Sequence, residues 1–181
     1  MSCPEKLLLG VSGSVAALTL PNYLYAFRAA GVRQIIAVVT VSASAFISAQ
    51  ALGVICDRVY TDADPARSHV ALGRWADHTL VLPATAHLLG CLAHGLAPSR
   101  LTTALLAVDG PITLVPAMNP VMWGKPAVQR NVAVLRGDGH RVVEPIAGAS
   151  YEVASRAIVP GLVPPPPEDV VRCVSGVEAI A

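Results

Sequence analysis

The sequence predicts an α/β fold, a doubly wound parallel sheet with helices on both faces. Three observations carry that expectation. Short runs of three to five apolar residues recur along the chain, and each ends in a turn of small, polar or proline residues. Helix-like stretches separate the runs, which implies right-handed crossovers between parallel strands. The runs read as continuously apolar rather than alternating, as strands covered on both faces do.

Leu7-Leu8-Leu9 is the first strand, and it runs into Gly10-Val11-Ser12-Gly13-Ser14 and then a helix to about Ala30. Ile35 to Val39 form the second, with Ser42 and Ser44 behind it as helix N-cap candidates. A helical run reaching Trp75 follows His69. Leu80-Val81-Leu82 is the next strand, ended by Pro83 and followed by a helix from about Thr85 to His94. Ile112 to Val115 come last, ended by Pro116, with a helix from about Pro120 to Arg136. The tail breaks this rhythm. Gly148 to Pro167 contains five prolines and two glycines, which excludes a central strand or a helix interior. Residues 145–168 therefore read as a surface loop or as a lid over a substrate, and Val170 to Ile180 as a short closing helix.

A chain of 181 residues suits one domain, 1–181. Hydrophobic residues make up 54% and charged ones 14%, which excludes disorder. Aromatics are 4% against 29 alanines, so the core is expected to be small and aliphatic. A net charge of +1 offers no electrostatic footprint for a nucleic acid or an anionic membrane. Residues 7–27 and 35–56 lack charges and are each long enough to cross a bilayer core of roughly 30 Å. Small polar residues and Pro21 interrupt them, which favours buried strands and their loops in a soluble protein. Met-Ser-Cys-Pro-Glu provides no cationic lead for a secretory signal. Cys3, Cys56, Cys91 and Cys173 form no Cys-x-x-Cys pair, so reduced thiols in a cytoplasmic protein are expected.

Chemistry concentrates at the ends of the strands. The Gly10 to Ser14 turn leads from a strand into a helix, where free N–H groups and the Ser12 and Ser14 hydroxyls suit an anion; a simple tight turn is the alternative. The dinucleotide fingerprint fails, because Ser12 replaces its second glycine and no acidic residue follows near Leu20. Thr40-Val41-Ser42 and Pro83-Ala84-Thr85-Ala86 repeat the hydroxyl-rich pattern on the same edge. Together they suit one phosphate and a planar ring, hence a mononucleotide. A triphosphate would call for a lysine and a metal. His69 is either a proton acceptor or a helix-start histidine. His87, Cys91 and His94 share one helical face at a spacing zinc would accept, but no carboxylate stands near them in sequence, and no metal is expected. His78 and His140 read as loop residues. Asn119 is either a neutral ligand for a carboxylate or a helix N-cap ahead of Pro120.

These motifs, in this order, resemble the homo-oligomeric flavin-containing cysteine decarboxylases. That family includes phosphopantothenoylcysteine decarboxylase and the peptidyl-cysteine decarboxylases of lantibiotic and related peptide biosynthesis. The resemblance runs from Lys6 to Pro167 and rests on Gly10-Val11-Ser12-Gly13-Ser14, Thr40-Val41-Ser42 with Phe46, His69, Leu82-Pro83-Ala84-Thr85-Ala86 and Leu101-Thr102-Thr103. Above all it rests on Pro116-Ala117-Met118-Asn119 with Met122-Trp123.

The resemblance implies a Rossmann-like flavoprotein fold with FMN at the sheet edge. Gly10, Ser12, Gly13, Ser14, Thr40, Ser42, Pro83, Ala84, Thr85, Thr102 and Thr103 would surround its phosphate and ribityl chain, and Phe46 and Met118 its ring. His87 stands where the family carries an asparagine, in Ala84-Thr85-Ala86-His87-Leu88. His69 would be the catalytic base, and Asn119 would hold the substrate carboxylate, with Met122, Trp123 and Tyr151 also at the substrate. Members assemble as trimers or as dodecamers of four trimers, with the flavin between subunits. In the chemistry so implied, oxidising the cysteine Cβ–SH to a thioaldehyde provides an electron sink for loss of CO2. Phosphopantothenoylcysteine decarboxylases carry a tail cysteine that reduces the intermediate, whereas Ser150 to Arg156 here contain none. The expectation is the peptide-modifying branch: oxidative decarboxylation of a precursor peptide's C-terminal cysteine to an aminoenethiol. The alternatives are the pantothenate-pathway decarboxylase and an inactive flavin-binding subunit.

Overall fold

A computed structural model gives the fold and describes residues 3–64 and 68–176. The first half comprises β1 (Lys6–Val11), a 3-10 turn (Val15–Thr19), α1 (Leu20–Ala29), β2 (Gln34–Val39), a second 3-10 turn (Ala43–Ala45), α2 (Ala49–Leu52), β3 (Arg58–Thr61) and α3 (His69–Trp75). Then follow β4 (His78–Ala84), α4 (Ala86–Ala93), α5 (Arg100–Leu106), β5 (Ile112–Pro116), α6 (Pro120–Trp123), α7 (Pro126–Gly137), β6 (Arg141–Val142), β7 (Ile146–Glu152), β8 (Ala157–Val163) and α8 (Pro167–Val174).

Six parallel strands form one sheet in the order β3-β2-β1-β4-β5-β6. The chain winds outward one way from β1 to β3, then returns to start again at β4 beside β1. That reversal opens a crevice at the carboxyl ends of the strands, where ligands of such folds bind. The pleat sends alternate residues of β1 to opposite cores. Leu7 and Leu9 pack with Leu24 and Phe27 of α1 and Val170 of α8. Leu8 packs on the other face with Leu88 of α4, Leu101 of α5 and Leu135 of α7. No aromatic ring is needed on that second face beyond the partly buried Tyr60, Trp75 and Trp123 at its margin, as the alanine-rich composition anticipates.

The expected doubly wound sheet is present, and the four anticipated strands are its four central ones. Several element expectations need correction. The edges β3 and β6 escaped the sequence reading. The helix expected from Pro120 to Arg136 breaks at Gly124 and Lys125, and Pro126 starts α7. Ser42 precedes only the short 3-10 turn and makes no side-chain capping bond, whereas Ser48 caps α2 by accepting from Ala51 N–H at 3.0 Å. His78 is not in a loop: it opens β4, its Nε2 lies 3.0 Å from Thr113 Oγ1 on β5, and burial with the nearby Arg141 charge pushes its pKa from 6.5 down to about 4. The closing helix begins at Pro167 rather than Val170, and residues 177–180 of the expected helix lie outside the described ones.

The largest correction concerns the tail. Instead of a loop, Ile146 to Val163 form an antiparallel hairpin, a separate two-stranded sheet with Ser150 opposite Val159 and Glu152 opposite Ala157. Prolines exclude a central strand, but in a two-stranded ribbon alternate residues turn their N–H away from the partner, so Pro160 fits. Among the described residues no helix is long and apolar enough to cross a membrane.

Tyr23 of α1 fixes the root of this hairpin. Its ring sits in the core and its Oη donates to Pro165 O at 2.8 Å, just past β8. Burial, assisted by Glu168, pushes the phenol up to about 12. Replacing Tyr23 by Phe leaves a buried carbonyl without its donor, and a loss of about 1–3 kcal/mol is expected from urea denaturation.

Candidate active site

The site is built from turns at the carboxyl edge. Ser12, buried at the end of β1, donates through Oγ to Pro83 O at 2.8 Å and accepts from Thr85 N–H at 3.0 Å. Thr85 Oγ1 caps α4 by accepting from Leu88 N–H at 3.3 Å and lies 3.3 Å from Ser12 Oγ. Ser12 therefore ties β1 to β4 at the point where the winding reverses. Its N–H bonds to Pro83 O, and the Ser14 N–H bonds to Ser12 O. This leaves the Gly13 N–H without an acceptor among the described residues.

The turn after β2 lies directly against Gly13. A Cβ placed there would stand 2.5 Å from Ser42 Oγ and 2.9 Å from its carbonyl carbon, so only glycine permits the approach. Ser42 Oγ in turn lies 3.1 Å from Thr40 Oγ1. Gly10 answers to packing instead, since a Cβ on it would meet Leu101 Cδ1 at 2.7 Å.

A cavity of about 750 Å³ opens beside this cluster. Gly13 and Ser14, Phe46, and the Ala117 to Val121 segment after β5 supply its floor, and both strands of the hairpin cover it. Most of the lining is apolar, and Glu152 is its one charged side chain among the described residues. Asn119 takes the capping role expected of it, accepting from Val121 N–H through Oδ1 at 2.8 Å at the start of α6, and it also lines the cavity. With that oxygen occupied, the Nδ2 amide hydrogens remain to meet a ligand.

The structure brings Gly13, Ser14, Phe46, Met118, Asn119 and Tyr151 to this cavity, with Ser12, Thr40, Ser42 and Thr85 in the turns behind it and Pro83 and Ala84 at the end of β4. It does not bring the rest. His69 is exposed at the first position of α3 and contributes nothing to the lining. Thr102 shares a reciprocal cap with Ser99, and Thr103 Oγ1 donates to Ser99 O at 2.9 Å. His87 is exposed on α4 with its Nε2 3.6 Å from the buried Cys91 Sγ, and His94 ends the helix. Among the described residues no three His, Cys, Asp or Glu side chains are placed to hold a metal. Met122 is exposed, and Trp123 packs at the margin of the second core. Asn22 and Glu152 also line the cavity, and sequence reasoning passed over both. Glu152 is the one acid between Ile146 and Val163, a feature that points to the site only once the hairpin is seen to cover the cavity.

A winding reversal that presents hydroxyls, a free amide and apolar walls defines a cofactor-binding doubly wound protein. Residues 1–177 match the Flavoprotein family, to which this chain belongs. The resemblance to its cysteine decarboxylases, peptidyl branch included, holds at the level of whole chains. Mersacidin decarboxylase of Bacillus sp. (strain HIL-Y85/54728) is 37% identical over 166 residues, covering 89% of this chain and 85% of that protein. Among solved structures, EpiD in complex with the substrate peptide DSYTC superposes with a TM-score of 0.87 at 26% identity, over 93% of this chain and 97% of that one. The FMN-dependent cysteine decarboxylase SpaF gives a TM-score of 0.74 at 38% identity, over 87% and 89%. The chain also matches the bifunctional coenzyme A biosynthesis protein CoaBC of Vibrio vulnificus at 34% identity, but spans only 43% of its length.

Proposed function

We propose that this protein is an FMN-dependent decarboxylase of the C-terminal cysteine of a ribosomally made precursor peptide, producing an aminoenethiol for later ring closure with a dehydrated residue. The observation that carries the reading is the single cavity joining the Gly13-Ser14 turn, Met118-Asn119 and the hairpin. The likeness to mersacidin decarboxylase and to peptide-bound EpiD supports it. None of Cys3, Cys56, Cys91 and Cys173 lines the cavity, which favours release of an unsaturated product over its reduction in place.

The residues fit a flavin mononucleotide. The Gly13 amide and the Ser14, Ser42 and Thr85 hydroxyls offer a phosphate neutral donors, and a Cβ at Gly13 would close that approach. Phe46 and Met118 supply apolar surface for a ring. Bound FMN would take the two electrons and accompanying hydrogen removed from the cysteine Cβ–SH. The chain's own groups do the rest. Asn119 Nδ2 donates to the peptide's terminal carboxylate and holds it beside the oxidised carbon. The apolar lining excludes water from that carboxylate, which favours its departure as neutral CO2. The electron pair left behind moves onto the thioaldehyde sulfur, giving an enethiolate. A ring nitrogen of His69 takes the proton released in the oxidation.

His69 is exposed and outside the cavity of its own chain, which supports a homo-oligomer, a trimer or a dodecamer of four, in which His69 serves the flavin bound by a neighbour. The uncrosslinked thiols support a cytoplasmic setting. Purified protein is expected to be yellow and to remove about 46 Da, CO2 plus two hydrogens, from peptides ending in cysteine, read by mass spectrometry. A colourless protein that ignores added FMN would end this reading. Turnover of phosphopantothenoylcysteine alone would move the protein to the pantothenate pathway.

A further inference from the structure

Glu152 stands apart from everything else in the cavity. It ends β7 at the hairpin tip, is half-buried, and has no ion-pair partner among the described residues. Alternation along β7 leaves Ala149 and Tyr151 exposed and Ser150 and Glu152 half-buried, so the carboxylate shares the face turned toward the body. Gly161 pairs with Gly148, and a Cβ on it would lie 2.8 Å from the diagonal Ser150 Oγ and 4.0 Å from Pro120, which places the Gly148-to-Ser150 stretch of the hairpin over the Asn119-Pro120 segment. Glu152 lies two residues beyond Ser150, about 7 Å along the strand. The nearest cation in sequence, Arg156, belongs to the tip turn and does not line the cavity.

We propose that Glu152 sets a charge preference in the substrate: peptides with a Lys or Arg a few residues upstream of the terminal cysteine are favoured over those with Asp or Glu. The inference rests on the decarboxylase reading, with the cysteine carboxylate held at Asn119. From there an extended peptide reaches the hairpin tip within two or three residues, at about 3.3 Å per residue. Desolvation beneath the hairpin strengthens the carboxylate's attraction for a cation, and an acidic side chain there meets repulsion without a compensating partner. Asn119, Ser14 and Ser150 are neutral, so among the described residues nothing else in the lining discriminates by charge.

The test uses the flavin-loaded protein and N-acetylated pentapeptides ending in cysteine, with Lys, Gln or Glu placed in turn at each of the three preceding positions. At one or two positions kcat/KM is expected to rank Lys above Gln above Glu, with about a tenfold spread from end to end, the size of a partly exposed ion pair plus the matching repulsion. Glu152→Gln should collapse the spread and Glu152→Lys invert it, and high salt should compress it in the wild type. Equal rates for Lys and Glu peptides at every position would overturn the proposal, as would a spread unchanged in Glu152→Gln. Turnover of the Gln peptides without a charge effect faults Glu152 alone. Absence of turnover on all peptides overturns the decarboxylase reading and this inference together.

Discussion

A His69→Asn variant is expected to stay yellow and folded while losing roughly 10²- to 10⁴-fold in kcat, the contribution of a positioned proton acceptor. His69 begins α3 under a cap from Ser68, whose Oγ accepts from Ala71 N–H at 3.2 Å, and its side chain is exposed. Exchange there removes no buried contact, so stability should change by less than about 0.5 kcal/mol. Flavin content and thermal unfolding would report a structural loss, and single-turnover decarboxylation the chemical one. Undiminished activity would remove His69 from the mechanism.

Gly13→Ala is expected to do the reverse, discarding the flavin while leaving the fold in place. The added methyl would meet the Ser42 backbone at 2.9 Å as well as the movable hydroxyl, so no rotamer change at Ser42 relieves it. The two turns must separate at a cost of about 1–3 kcal/mol, or five- to hundredfold in flavin affinity by equilibrium dialysis. The pair of variants also tests the shared site. Mixing colour-retaining His69→Asn with flavin-deficient Gly13→Ala should restore part of the activity if His69 acts on a neighbour's flavin. Complete silence of the mixture would confine each site to one chain.

The central strands were legible because burial on both faces makes them continuously apolar, as in Leu7 to Leu9 and Ile35 to Val39. The edge strands were not. Arg58-Val59-Tyr60-Thr61 has one side open, and Arg141-Val142 is too short to show any period. The hairpin was misread because its prolines and glycines were weighed against a central sheet that it never joins. Asn119 was legible as the cap of α6, since Pro120 follows it at the first helical position. His69 was legible as a residue, but the structure leaves it exposed at the start of α3 and outside the cavity of its own chain. Glu152 went unnoticed because its isolation among apolar neighbours becomes meaningful only once the ribbon covers a cavity.

The ribbon has two margins that pair with nothing in the main sheet. Unprotected backbone of this kind templates runaway stacking of one molecule on the next. Pro160 removes a donor from one margin, and Gly148 and Gly161 weaken the local preference for extended chain on both. The residues that disguised the arm in the sequence are thus the ones that blunt its open margins against such stacking.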